Sequence, residues 1–224
     1  MNNLTKIIAL FLILFAGIGV YSYAETILTI AAGTGRLYEK YKEEGKDDIR
    51  NINFDLNFNR YKGNKIGGWF VKASYGKQLG VEWKEELKDT KSAVDLRLCV
   101  GPSFIFRPGT KILIPISFGP AVSNFRTNGL SFDKEANAYQ TLSVGALADV
   151  SIVFVPLKRF ALQVGVNASY DFLQFEKGIP VSGNEKPDSD KFVKTDNGGF
   201  KFGVYFGIGV KLGSTKKTKT DDVE

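Results

Sequence analysis

The sequence predicts an all-β fold, an eight-stranded antiparallel up-and-down transmembrane β-barrel. Three observations predict it: two-residue alternation held over long segments, an even number of such segments, and connections that alternate between short and long. The clearest segment is 160–172. Its even positions are Phe160, Leu162, Val164, Val166, Ala168, Tyr170 and Phe172, and its odd positions are Ala161, Gln163, Gly165, Asn167, Ser169 and Asp171. A helix would scatter those apolar residues around its circumference, whereas an extended strand collects them on one face. The run is about twice the usual strand of about five or six residues. The pattern returns as Phe200, Phe202, Val204, Phe206, Ile208, Val210 and Leu212, interleaved with Lys201, Gly203, Tyr205, Gly207, Gly209 and Lys211.

In chain order, a first strand is predicted over 26–33, where alternation is poor and neither face is clearly apolar. Residues 34–48 are charged and read as a loop. In the second strand Ile52, Phe54, Leu56 and Phe58 oppose Asn51, Asn53, Asp55, Asn57 and Asn59, a sorting that suits a two-faced sheet. A tight connection around Gly63 leads to a third strand over 66–76, with Trp69, Val71, Ala73 and Tyr75 opposite Phe70, Lys72 and Ser74. After a charged loop at 77–91, Val94, Leu96, Leu98 and Val100 alternate with Asp95, Arg97 and Cys99, and the strand continues to Phe106. Arg107-Pro108-Gly109-Thr110 is a turn by composition. The fifth strand, 111–122, contains Pro115 and Pro120; proline cannot donate to a ladder, so a local irregularity is expected there. A third loop is predicted over 123–137, then a sixth strand over 138–154, a short turn, the seventh strand over 160–172, a long loop over 174–197, and the last strand. If both termini are periplasmic, every long connection lies outside the cell, as in outer-membrane barrels.

The N-terminus reads as a processing signal. Lys6 precedes an uncharged apolar run from Ile7 to Val20, followed by Ser22-Tyr23-Ala24. That run is short for a bilayer span, so residues 1–24 are expected to be a secretory signal cleaved between Ala24 and Glu25. The barrel then covers 25–212, and 213–224 is a polar periplasmic tail. A formal net charge of +6 does not argue for nucleic acid. Cys99 is the only cysteine and there is no histidine. An intramolecular disulfide, a zinc site of the usual ligands, and Ser-His or Cys-His nucleophile pairs are therefore excluded. No catalytic constellation, metal site or cofactor site is found, and the chain is not expected to be an enzyme. No segment after the signal approaches twenty apolar residues, so a membrane reading has to be a closed barrel, the other fold that satisfies its backbone within lipid.

A soluble lipocalin-like carrier would also alternate, with its apolar face inward. Three features favour lipid outside. The apolar face of the last three strands carries no charge, where a midplane Lys or Arg costs about 2–4 kcal/mol. Aromatic residues gather near both strand ends as two girdles. The opposite face is rich in Gly, Ser and Asn and carries charges. Phe160, Leu162, Val164, Val166, Phe202, Val204, Phe206 and Ile208 are accordingly expected to face lipid.

Together, the signal, the eight alternating strands, the breaks at Gly101-Pro102 and Gly119-Pro120, and the glycine-aromatic last strand resemble the small outer-membrane β-barrel proteins of the OmpA, OmpX and OmpW type. The resemblance is architectural. It implies a place in the outer membrane of a diderm bacterium, with outer-membrane lipids and the assembly machinery as partners. Such barrels usually end on a terminal aromatic, whereas this chain continues past Leu212 to Glu224.

On the inward face, Lys72, Arg97, Lys201 and Lys211 are expected to meet Asp55, Asp95, Asp149 and Asp171. An eight-stranded interior is just wide enough for side chains, and buried charges need partners. A paired network that fills the lumen is therefore predicted. The expected role is structural or surface-interacting, in a monomer whose external loops meet a host or environmental ligand. Alternatives are a narrow channel, a lateral passage for apolar solutes of the kind the OmpW resemblance suggests, and the soluble carrier. Arg60, Lys62, Lys65, Arg107, Lys111, Lys158 and Arg159 flank the short turns and are expected either to reach lipid phosphates or simply to snorkel to the interface.

Overall fold

The computed structural model describes residues 24–40, 46–63, 65–82, 92–132, 135–179, 192–195 and 199–213. Its strands are β1 (Ala24–Lys40), β2 (Lys46–Lys62), β3 (Gly67–Glu82), β4 (Ser92–Phe106), β5 (Ile112–Phe132), β6 (Glu135–Phe154), β7 (Phe160–Ile179), β8 (Val193–Thr195) and β9 (Gly199–Leu212). From β1 to β7 each strand pairs antiparallel with the next, β7 pairs with β9, and β9 returns to β1 through Thr26↔Leu212 to Glu39↔Gly199. Eight strands thus close a ring with no free edge. The three-residue β8 adds only an outlying pairing to Gln174–Glu176 of β7. Of the signal expected over 1–24 only Ala24, which opens β1, and of the tail expected over 213–224 only Gly213 fall within the described residues.

The two faces sort as the alternation requires. Val164 is 53% exposed and Ile208 54%, whereas Gln163 between the β7 hydrophobics is 1% exposed. The apolar face therefore looks outward and the polar face inward, the arrangement of a barrel whose solvent is hydrocarbon. A carrier with an apolar lumen has the reverse. All eight residues assigned to lipid lie on this outer face; Leu162 is half-buried and the other seven are exposed. Phe58 keeps an outer-face position by register with Leu28 and Val71, yet is buried beside Trp69, whose ring centroid is 5.1 Å away. The first strand, which had no legible face, turns Ile27, Thr29 and Ala31 inward and Ile30 outward.

The strands extend beyond the predicted bounds at the long-loop end. Positions 34–40 pair with 46–52, 77–82 lie in β3, and 123–132 pair with 135–143. These segments were expected to be loops because they are charged. Alternation of hydrophobicity is imposed only where one face meets lipid, so a strand that continues into water keeps its hydrogen bonds and loses its pattern. At the short-turn end, sequence and structure agree closely at Phe106, Ile112, Phe154, Phe160 and Leu212, whereas β1 begins earlier than predicted, at Ala24, and β2 runs on past Asn59 to Lys62. The connection after β2 is closed by Lys65 N–H donating to the Lys62 carbonyl, with Gly63 at φ 58 supplying a left-handed residue.

The irregularity expected near the prolines takes the form of a gap without a slip. Cys99↔Ala121 and Ser103↔Ser117 share one register, but no ladder pairs join them. Gly101 and Gly119 face each other in that gap, and a Cβ on Gly101 would sit 2.2 Å from the Phe118 carbonyl oxygen. The glycines let the backbones approach closely. Pro102 and Pro120 have no N–H left to satisfy, which suits an interruption inside lipid.

Candidate luminal site

Ion pairs cross the lumen at two levels. Lys72 of β3 reaches Asp149 of β6 at 2.6 Å and Asp55 of β2 at 3.1 Å. Lys201 of β9 reaches Asp95 of β4 at 3.1 Å and Asp171 of β7 at 3.5 Å, and Asp95 also accepts from Arg97 at 3.5 Å. In a ring of eight, β4 and β9 are four strands apart, so the Asp95–Lys201 contact spans the full diameter. Arg97 in addition donates to Ser169 of β7.

Between these levels and the short turns, uncharged polar side chains continue the network. Thr29 donates its hydroxyl to the Gln163 carbonyl oxygen. The Gln163 amide donates to Ser151 at 2.9 Å, and Tyr205 donates its phenol to Asp149 at 2.8 Å. Lys72 lies 3.9 Å from the centre of the Tyr205 ring. The Tyr205 phenol lies over the adjacent β7 to reach Asp149 of β6 because position 165 is glycine: a Cβ there would meet its oxygen at 2.4 Å. Nearer the turns, Tyr61, Ser103 and Ser117 share hydroxyl hydrogen bonds of 2.7 and 2.8 Å, with Asn59 accepting from Ser103 and Ser117.

Of the eight charges assigned to the interior, seven fall into the two cross-lumen groups. Lys211 does not join them. It pairs with Glu25 at 2.8 Å, and the other Glu25 oxygen takes the Arg107 guanidinium at 2.6 Å. The pairs named here join five cations to five anions, with Glu25 and Arg107 as the additions. The expectation that Arg107 points to lipid phosphate is overturned: its guanidinium turns inward to Glu25 and donates to the Lys65 and Gly63 carbonyls. In the sequence Glu25 stands out only as a cleavage position. Its inward direction follows from sharing a strand face with Ile27 and Thr29.

The inward face is also less uniformly polar than expected. Ile27, Ile105, Leu113, Val153 and Ala161 are at most 2% exposed and form an apolar layer beside Tyr61 at the short-turn end. A second cluster joins Phe70, Cys99, Ala121 and Leu147. Triplets that are apolar throughout, Phe104-Ile105-Phe106, Ile112-Leu113-Ile114 and Ile152-Val153-Phe154, were the available signal. A strand that is apolar on both faces buries both. The charged level retains a cavity of about 30 Å³ bordered by Asn51, Asn53, Asp95, Arg97 and Lys201, space for about two waters.

No protein-family model matches the chain, and no curated protein sequence matches it. Solved structures do. The outer membrane protein OprG from Pseudomonas aeruginosa aligns over 86% of this chain and 97% of its own, with a TM-score of 0.53 and 12% identity. A major outer membrane protein from Thermus thermophilus aligns over 84% and 99%, with a TM-score of 0.52 and 12% identity. Neisserial surface protein A aligns over 83% and 97%, at 0.49 and 8%. At these identities the likeness is one of fold.

Proposed function

We propose that this closed eight-stranded ring with an apolar exterior is a bacterial outer-membrane barrel, and that it is a non-conducting one that carries its external loops as a surface-interaction platform. The cross-lumen pairing of Lys201 with Asp95 carries this reading. Salt bridges from opposite walls occupy the axis, and the Lys72 group and the apolar layer lie between them and the short turns. Moving ions past these levels requires breaking buried pairs, each costly to break. A lateral passage would open most readily at the interrupted β4–β5 ladder. There, however, Gly101 and Gly119 are in close contact, and the lumen behind them holds Phe70, Cys99 and Leu147. The wall and the interior are both filled at that level, which favours the closed barrel.

Planar-bilayer recording of the purified, refolded protein tests this. We expect no steady conductance between pH 5 and 8, and sustained openings of the nanosiemens scale would overturn it. Export belongs to the same reading: cleavage after Ala24 leaves Glu25 as the first residue of the mature chain, within its pairing to Arg107 and Lys211. N-terminal sequencing of the membrane-extracted protein is expected to begin at Glu25.

A further inference from the structure

The outer wall carries a notch crowned by cations. The row Ile30–Leu56–Ala73–Leu98–Val122 crosses five adjacent strands in register. Its central member offers only a methyl group between two leucines. The groove over Ala73 measures about 630 Å³ and is apolar, with Tyr75 and Leu96 on its long-loop side. One row further in that direction, Lys77 of β3, Val94 of β4 and Arg126 of β5 stand in register. Lys77 and Arg126 are exposed and form no ion pair among the described residues. They share the outer face with Ala73 and Val122, four residues beyond each along their strands.

Their height fits a leaflet boundary. On β4 the outward residues from Phe106 to Leu96 span ten positions. At about 3.4 Å per residue and a tilt of about 40°, that is about 26 Å of rise, close to the apolar band of about 25 Å in such barrels. Lys77 and Arg126 therefore sit where hydrocarbon gives way to headgroups at the long-loop end, and the notch lies just below them within the acyl region. With one strand between them, the backbones that carry the two cations are about 10 Å apart, twice the interstrand spacing of about 4.8 Å.

We propose that this is a binding site for a diphosphorylated, multiply acylated glycolipid of the outer leaflet. An acyl chain lies in the notch over Ala73, and the two phosphates meet Lys77 and Arg126. A separated pair of cations matches two phosphates at the ends of a short sugar unit better than the single phosphate of a glycerophospholipid. The notch also removes the steric cost of bringing a chain against the sheet. This site is on the wall and is independent of whether the lumen conducts.

The test uses the full barrel in uncharged detergent micelles, titrated with hexa-acylated diphosphoryl disaccharide lipid and, in parallel, with phosphatidylglycerol. Bound lipid is read as phosphorus co-eluting with protein. Two variants address the two halves of the site: Lys77→Gln with Arg126→Gln, and Ala73→Phe, which fills the notch. A control, Lys158→Gln with Arg159→Gln, removes the same charge at a short turn. All are checked for heat-modifiable migration, which reports a closed barrel. We expect the diphosphoryl lipid to bind at least tenfold more tightly than phosphatidylglycerol. Each site variant should lose at least tenfold of that affinity, and the control should change it less than twofold. Equal binding of both lipids, an equal loss in the control, or unchanged affinity in both site variants would each overturn the proposal.

Discussion

Lys72→Met is expected to destabilise the folded barrel by about 3–5 kcal/mol, the usual consequence of removing one partner from a buried ion pair. The methionine side chain has a length similar to that of lysine, so little volume is lost. What is lost is the charge that Asp55 and Asp149 both contact. Both carboxylates are buried, and Asp149 would retain the Tyr205 phenol while Asp55 would lose its cation. The effect should therefore shrink in the triple variant Lys72→Met, Asp55→Asn, Asp149→Asn, in which no carboxylate is stranded. Urea unfolding in lipid vesicles, followed by tryptophan fluorescence, measures both. A Lys72→Met barrel within about 0.5 kcal/mol of the parent would show that the pairing is dispensable.

Arginine scanning along the outer face of β7 should give a depth profile. Val166 pairs with Val150 on one side and Val204 on the other, midway along the apolar band. Val166→Arg is expected to cost about 2–4 kcal/mol, and Phe160→Arg at the short-turn edge about 0–1 kcal/mol, because the cost follows the distance to the headgroups. Vesicle refolding titrations resolve the difference. A flat profile, or a larger cost at Phe160 than at Val166, would mean that this face is not in hydrocarbon.

These faces were legible in β7 and β9 because lipid enforces the two-residue rule there: no charge interrupts Phe160 to Phe172 or Phe200 to Phe206 on the outer side. The ends of the strands at the short turns were legible for the same reason, since Arg107-Pro108-Gly109-Thr110 stops the pattern where the chain stops. The long-loop ends were not, because a strand in water on both sides is under no such rule, and charge at 34–40 or 77–82 looks the same in a hairpin as in a loop. Inside the barrel, the alternation marked Asp55, Lys72, Asp149 and Lys201 as inward but could not say which would touch. Partnership depends on strand stagger, which one chain of letters does not encode. Glu25 escaped for a different reason. It stands at the edge of a segment with no clear faces, beside the expected cleavage point, and its partners are eighty or more residues away.

Glu25 lies on the first strand of the ring, Lys211 on the last and Arg107 at the turn after β4. The carboxylate is 2% exposed once all three are together. Arg107 reaches Glu25 across the lumen, and Lys211 comes beside it only when the last strand pairs with the first and shuts the seam. An open sheet thus holds an unanswered anion at its edge. That anion rewards the arrival of one particular partner in one particular stagger, Ile27 opposite Lys211, and would penalise a cylinder closed one residue out of step.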